Sequence, residues 1–195
     1  MNLPNKLTLS RIILSPIFMA LFLIDNLYTR YLALLVFSLA ALTDLYDGYL
    51  ARRTGVITNF GKFMDPLADK LLTSMAFISL VALGYAKAWM IILIVGREFF
   101  ITGLRSIAAY KGIVIFPSIL AQVKTASQML VIFIIVVFIN LKMTLLPAGY
   151  NWTILTSPKT MRLFDGMILV CVILTVGTGI DYLVKNAAIL KGVLR

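Results

Sequence analysis

The chain reads as an all-α integral membrane protein with six transmembrane helices and cytoplasmic termini. Three observations lead there. The composition is 61% hydrophobic and only 13% charged, with a mean hydropathy of +0.99, whereas soluble domains carry about 25% charged residues. The apolar residues fall into six runs of spanning length, at roughly 20 residues per crossing. The basic residues are distributed unevenly between the two ends of those runs.

The runs cover residues 7–24, 31–50, 66–86, 88–110, 118–141 and 162–190. The first is basic and then apolar, but no small-residue cleavage site follows Ile17–Leu23, so it is expected to be a retained helix and not a signal peptide. Asp25 and Asn26 end it. The second is followed by a polar link, Arg53–Gly61. Pro66 opens the third, in a first turn where its missing N–H costs nothing, and Gly84–Ala88 forms a tight turn after it. Lys111-Gly112 closes the fourth, and Pro117 stands near the start of the fifth. The longest loop runs from Pro147 to Lys159. The last helix is long enough to emerge from the bilayer at its C-terminal end. No repeat is visible, and residues 1–195 are expected to form one membrane domain with no room for a separate soluble one.

Orientation follows from charge. With the N-terminus inside, Arg30, Lys87, Lys142, Lys159 and Arg162 face out, and the remainder of the 18 lysines and arginines face in. Lys and Arg accumulate on cytoplasmic loops, so both termini are expected there. Tyr28, Tyr31, Tyr85, Trp89, Tyr150 and Trp152 cluster at the opposite interface. A net charge of +10 would suggest nucleic acid in a soluble protein; here membrane lipids with anionic headgroups account for it.

The chain has no histidine and one cysteine, Cys171. Zinc, haem and iron–sulfur sites are excluded on ligand chemistry, and so is an intrachain disulfide. A metal must be held by oxygen, which points to Mg²⁺, Mn²⁺ or Ca²⁺.

Four of the 8 acidic residues stand together in the pattern Asp44-x2-Asp47-Gly48-x2-Ala51-Arg52-x8-Gly61-x3-Asp65-x3-Asp69. Asp44, Asp47, Gly48 and Ala51 are spaced i, i+3, i+4, i+7, one face of a helix. Asp65 and Asp69 are i, i+4 on the next. An aspartate at the centre of a membrane helix costs about 2.5–3.5 kcal/mol, while each Leu, Ile or Phe returns only about 0.3–0.6. The group must therefore lie near a boundary, facing protein or water. Four clustered carboxylates also repel, and some would stay protonated. Two divalent cations remove both problems, and metal pairs of this kind recur in phosphoryl transfer. Gly48, Ala51 and Gly61 would serve equally as close-packing residues. Interleaved with aspartates, they suit the approach of a flat ring or a pyrophosphate to the backbone. Arg52 would by itself serve as a snorkelling cation at the interface; beside such a site it reads as a phosphate or nucleotide contact.

At all of these positions the stretch Asp44–Asp69 resembles the signature of the CDP-alcohol phosphatidyltransferases. The resemblance implies a six-helix bacterial protein of the cell membrane, a homodimer, and dependence on two Mg²⁺ or Mn²⁺ ions. It implies attack of an alcohol on the β-phosphorus of a CDP-linked lipid, with release of CMP. Carried over, Asp44, Asp47, Asp65 and Asp69 ligate the metals, Asp69 is also the base, and Gly48, Ala51, Arg52 and Gly61 border the cytidine diphosphate.

Three further stretches, Asn2–Arg11, Arg97–Arg105 and Val123–Gln128, resemble the phosphatidylglycerophosphate synthase branch. The donor would then be CDP-diacylglycerol and the acceptor sn-glycerol 3-phosphate, a small dianion that needs a basic pocket. Arg97, Arg105 and Lys124 are expected to form it, with Thr125 and Gln128 as neutral donors. Glu98 is read as an ion-pair partner of Arg97 or Arg105. Asn5, Thr8 and Arg11 are expected to touch the nucleotide at the mouth of the site, with anchoring at the membrane surface as the alternative. Asp181 faces either the site or a basic partner. The alternatives are a sister transferase using inositol phosphate, serine or phosphatidylglycerol, and, remotely, a cation transporter or channel.

Overall fold

A computed structural model of the chain describes the backbone of residues 3–54, 59–111, 119–150 and 152–187; the side chains of residues 3–6, 44–54, 59–66, 69 and 119 lie outside the described set. Among the described residues the chain is all-helical. Its elements are α1 (Leu3–Leu23), α2 (Leu27–Thr54), α3 (Asn59–Ala82), α4 (Ala88–Tyr110), α5 (Ile119–Leu145), the single turn α6 (Thr153–Thr156) and α7 (Pro158–Lys185).

Local chemistry sets the boundaries. Asn26 begins α2: its Oδ1 accepts from the backbone N–H of Tyr28 (2.9 Å) and Thr29 (3.4 Å), two of the donors a helix start leaves unpaired. The end of α3 is a Schellman closure. Gly84 adopts φ +76°, its N–H bonds Val81 O, and Tyr85 N–H bonds Leu80 O; glycine takes that left-handed conformation without a Cβ penalty. The same pair of bonds recurs after α5, around Gly149 at φ +85°. Ser157 caps α7, its Oγ accepting from Lys159 N, with Pro158 in the first turn.

The helices differ from expectation at the polar stretches. Most of the link expected at Arg53–Gly61 is helix, because α2 continues to Thr54 and α3 already starts at Asn59. Pro66 therefore sits inside α3, where it removes the bond to the carbonyl four residues back. The long loop 147–159 contains α6, pinned by Thr160 Oγ1 donating to Ile154 O at 2.6 Å. Helix α7 closes at Lys185, with Asn186 as its cap, and the expected extension to 190 reaches beyond the described residues.

Side-chain contacts fix the alternation of the bundle. Arg30, at the start of α2, bonds Met143 Sδ, and Tyr31 pairs with Thr144, both near the end of α5. Lys142 lies 5.9 Å above the Tyr85 ring in the α3–α4 turn. Lys87 pairs with Asp165, near the start of α7, at 3.0 Å. One end of the bundle thus gathers the start of α2, the α3–α4 turn, the end of α5 and the start of α7. The other end gathers their opposite termini. α1 packs on α2 and α3, while α7 packs on α4 and α5.

Between the ends lies an apolar core that includes Phe18, Phe22, Phe37, Leu72, Phe77, Ile94, Ile132, Ile135 and Ile168. Phe18 stacks on Phe22 with centroids 5.3 Å apart and meets Phe37 at 5.2 Å. The outer surface is apolar as well. Leu32, Leu35, Leu39 and Leu42 stand exposed on one face of α2, as do Val170, Ile173, Ile180 and Val184 on α7. Apolar faces of that extent suit lipid. Among the described residues, Leu120–Leu145 and Pro158–Lys185 have the length and composition to cross a membrane, and the apolar parts of α1, α2 and α3 run over 7–23, 27–43 and 70–82. In lipid, apolar burial gives little hydrophobic gain, so close packing and buried polar contacts hold such helices together.

Candidate active site

The aspartate pattern falls on the facing termini of α2 and α3. Asp44, Asp47, Gly48, Ala51 and Arg52 occupy the last part of α2, and Gly61, Asp65 and Asp69 the first part of α3. Helical backbone through both segments preserves the i, i+3 and i, i+4 registers that put each pair on one face. Four residues join Thr54 to Asn59, so the two helix ends lie within about 18 Å of each other. The side chains of these eight residues, and that of Asn5 on α1, lie outside the described residues. Thr8 and Arg11, also on α1, are buried, in the helix that packs on both α2 and α3. Burial removes the surface-anchoring alternative for these two.

A second polar group lies where α3, α4, α5 and α7 meet. Its centre is Glu98, with a side chain only 5% exposed. One carboxylate oxygen accepts from Lys70 Nζ of α3 at 3.1 Å. The other pairs with Lys124 Nζ of α5 and with Arg97 Nη1 at 3.3 Å. Three cations from three helices therefore share one carboxylate, a local excess of two positive charges. Buried charge on this scale is costly unless paired. Arg97 reaches further, its Nη2 donating to Thr178 Oγ1 of α7 at 3.0 Å. Arg105, two turns along α4, places its guanidinium carbon 5.8 Å from the centre of the Tyr182 ring. The Nε groups of both Arg97 and Arg105 are buried with no hydrogen-bond partner among the described residues. Buried donors are nearly always satisfied, so an excess of positive charge with open donors fits an anionic ligand.

Of the expected acceptor residues, Arg97 and Lys124 are brought together on Glu98, while Arg105 lies against Tyr182. Glu98 pairs with Arg97, as expected, but its other partners are Lys124 and Lys70, not Arg105. Thr125 points its hydroxyl at Ala121 O of its own helix (3.2 Å). Gln128 donates to Thr175 Oγ1 of α7 at 2.9 Å. Asp181 takes the basic partner: it pairs with Lys185 one turn on, at 2.9 Å.

Sequence reading missed Lys70 as a site residue, and it missed the whole contribution of α7. Thr175, Thr178, Gly179 and Tyr182 are spaced i, i+3, i+4, i+7, the register already noted for Asp44, Asp47, Gly48 and Ala51. That register was the available signal. Beside Arg97, an apolar groove of about 410 Å³ opens between α4 and α7, lined by Ile92, Leu93, Gly96, Phe100, Val176 and Ile180 among others.

The family model of the CDP-alcohol phosphatidyltransferases matches residues 1–158. The chain belongs to the CDP-alcohol phosphatidyltransferase family. A Bacillus subtilis (strain 168) protein named CDP-diacylglycerol–glycerol-3-phosphate 3-phosphatidyltransferase is 39% identical over 97% of this chain and 97% of its own length. Proteins of the same name from Rickettsia typhi and Escherichia coli K12 are 42% and 39% identical, over 69% and 66% of this chain and 76% and 72% of their own lengths. The part of the phosphatidyltransferase chain matched by the family model includes the aspartate segments of α2 and α3 together with Arg97, Glu98, Arg105 and Lys124. It stops at the first residue of α7. The α7 residues that bond Arg97 and Gln128 lie beyond it.

Proposed function

We propose that the chain transfers a phosphatidyl group from CDP-diacylglycerol to sn-glycerol 3-phosphate, giving phosphatidylglycerophosphate and CMP. The observation that carries the acceptor assignment is the buried excess of positive charge around Glu98. A phosphate monoester carries about −1.5 to −2 at neutral pH, which complements that excess. The similarity to the Bacillus subtilis protein over nearly the whole length supports the same reading.

On this reading the acceptor phosphate is held by Arg97, Arg105 and Lys124, with Thr125 close by. The donor headgroup lies across the ends of α2 and α3, bordered by Gly48, Ala51, Arg52 and Gly61 and by Asn5, Thr8 and Arg11 of α1. Asp44, Asp47, Asp65 and Asp69 hold two divalent cations, Mg²⁺ or Mn²⁺. Their all-oxygen donor set and the helical registers of both segments fit such hard ions. Bound there, the cations would neutralise the pyrophosphate and the departing CMP. The acceptor hydroxyl oxygen forms a bond to the β-phosphorus as the bond from that phosphorus to the CMP oxygen breaks. The hydroxyl proton passes to the Asp69 carboxylate. Six helices span the cell membrane as one domain with both termini cytoplasmic, as the distribution of lysine and arginine suggests. The family resemblance adds a homodimer.

The test is CMP release from CDP-diacylglycerol by the purified protein, run across acceptors and metals. Activity is expected with glycerol 3-phosphate, lost on chelation and restored by Mg²⁺ or Mn²⁺. Turnover of serine, inositol phosphate or phosphatidylglycerol, with none of glycerol 3-phosphate, overturns the acceptor assignment. Undiminished activity after chelation overturns the metals.

Arg105→Ala is expected to raise the KM for glycerol 3-phosphate by about tenfold to a hundredfold, the range of a lost hydrogen bond to a charged group. The KM for CDP-diacylglycerol should move far less. Equal changes in both would count against a separate acceptor pocket.

A further inference from the structure

We propose that Thr178 and Gly179 of α7 are positioning residues for the Arg97 guanidinium, and so help set the affinity of the phosphatidyltransferase for its phosphorylated acceptor. The inference rests on the acceptor pocket proposed above.

Two independent contacts support it. Thr178 Oγ1 donates its hydrogen to Leu174 O at 2.7 Å and accepts from Arg97 Nη2 at 3.0 Å. A hydroxyl has one hydrogen and two acceptor lone pairs. With the hydrogen turned back into the helix, the oxygen presents a lone pair to the guanidinium. Gly179 provides the space. A Cβ at residue 179 would lie 2.9 Å from Arg97 Nε and 3.2 Å from its Cγ. Those atoms belong to the stem of the side chain, not its free end, so any larger residue forces the whole arginine to move. The other edge of the guanidinium is held by Glu98, which accepts from Arg97 Nη1 at 3.3 Å. The guanidinium is thus clamped between a carboxylate on its own helix and a hydroxyl on α7. Planar guanidinium recognition of phosphate depends on orientation more than a lysine contact does, so loosening one side of the clamp weakens binding without removing the charge.

The experiment compares Thr178→Val, Thr178→Ser, Gly179→Ala and Arg97→Ala, assayed for KM of both substrates and for thermal midpoint in detergent. Thr178→Val keeps the shape and removes the acceptor atom. It is expected to raise the KM for glycerol 3-phosphate about threefold to tenfold, the equivalent of one hydrogen bond. The KM for CDP-diacylglycerol should hold within twofold. Thr178→Ser restores the acceptor KM. Gly179→Ala acts in the same direction as Thr178→Val. In the Arg97→Ala background, Thr178→Val has no further effect on the acceptor KM, because the two act through one group. If Arg97→Ala raises the acceptor KM but neither α7 variant does, the positioning role is overturned and the pocket stands. The role also falls if Thr178→Val has its full effect without Arg97. If Arg97→Ala leaves the acceptor KM unchanged, the pocket and the positioning role fall together.

Discussion

Replacing Asp69 by Asn is expected to lower kcat for CMP release by about 10²–10⁴-fold, the usual contribution of a positioned general base. Asparagine keeps the size of the side chain but cannot take the proton of the attacking hydroxyl. The residue lies on the helical part of α3, one residue before Lys70, so the substitution leaves the ion pair of Lys70 with Glu98 in place. The folded bundle should survive, and so should binding of CDP-diacylglycerol through the cations proposed on the other three carboxylates. Single-turnover CMP release measured beside equilibrium binding of the CDP-lipid separates the two effects. Release at near wild-type rate would refute the base assignment. Loss of binding and turnover together would leave Asp69 its metal-holding role and remove the support for its role as base.

The largest effect on stability is expected from Glu98→Ala. Lys70, Arg97 and Lys124 all depend on this carboxylate. Lys124 is itself buried, with a side chain 3% exposed. Removing one partner of a buried ion pair costs about 3–5 kcal/mol, because the remaining charge is left uncompensated. Here three cations are affected at once, on α3, α4 and α5. A marked drop in the thermal midpoint in detergent is the expected result. Glu98→Gln keeps the acceptor oxygen and should lie between. Glycerol 3-phosphate supplies a replacement anion, so it should raise the midpoint of Glu98→Gln more than that of the wild type. An unchanged midpoint for Glu98→Ala would show that the cations do not need the carboxylate.

How much of this was legible in the sequence depends on the element. The aspartate pattern carried its own helical register, and both of its segments are helical. Arg97, Arg105 and Lys124 stood out because their stretches, Arg97–Arg105 and Val123–Gln128, resemble the phosphatidylglycerophosphate synthase branch and a dianionic acceptor needs a basic pocket. The boundaries near residue 53 were misplaced for a physical reason. Apolar runs mark where a helix lies in lipid, not where it ends. Hydrogen bonding continues past the lipid boundary, so α2 runs on through Arg52 and Arg53, and α3 begins before Pro66. Lys70 was read only as part of a charge asymmetry, since nothing local pairs it with Glu98, 28 positions away in the chain. The α7 stripe was in plain view at the same spacing as the aspartates. Threonine and glycine are ordinary packing residues in membrane helices, however, and only the contact with Arg97 gives the stripe a chemical meaning.

The bond between Arg97 and Thr178 also has a consequence for biosynthesis. Helices α1 to α5 leave the ribosome before α7 does. A nascent chain can therefore bring the two aspartate segments together while α4 still has no partner on its far side. During that interval Arg97 has Glu98 on one flank and nothing built on the other. In the proposed acceptor pocket, the α7 contact that holds Arg97 is therefore made last, after the two aspartate segments are already joined.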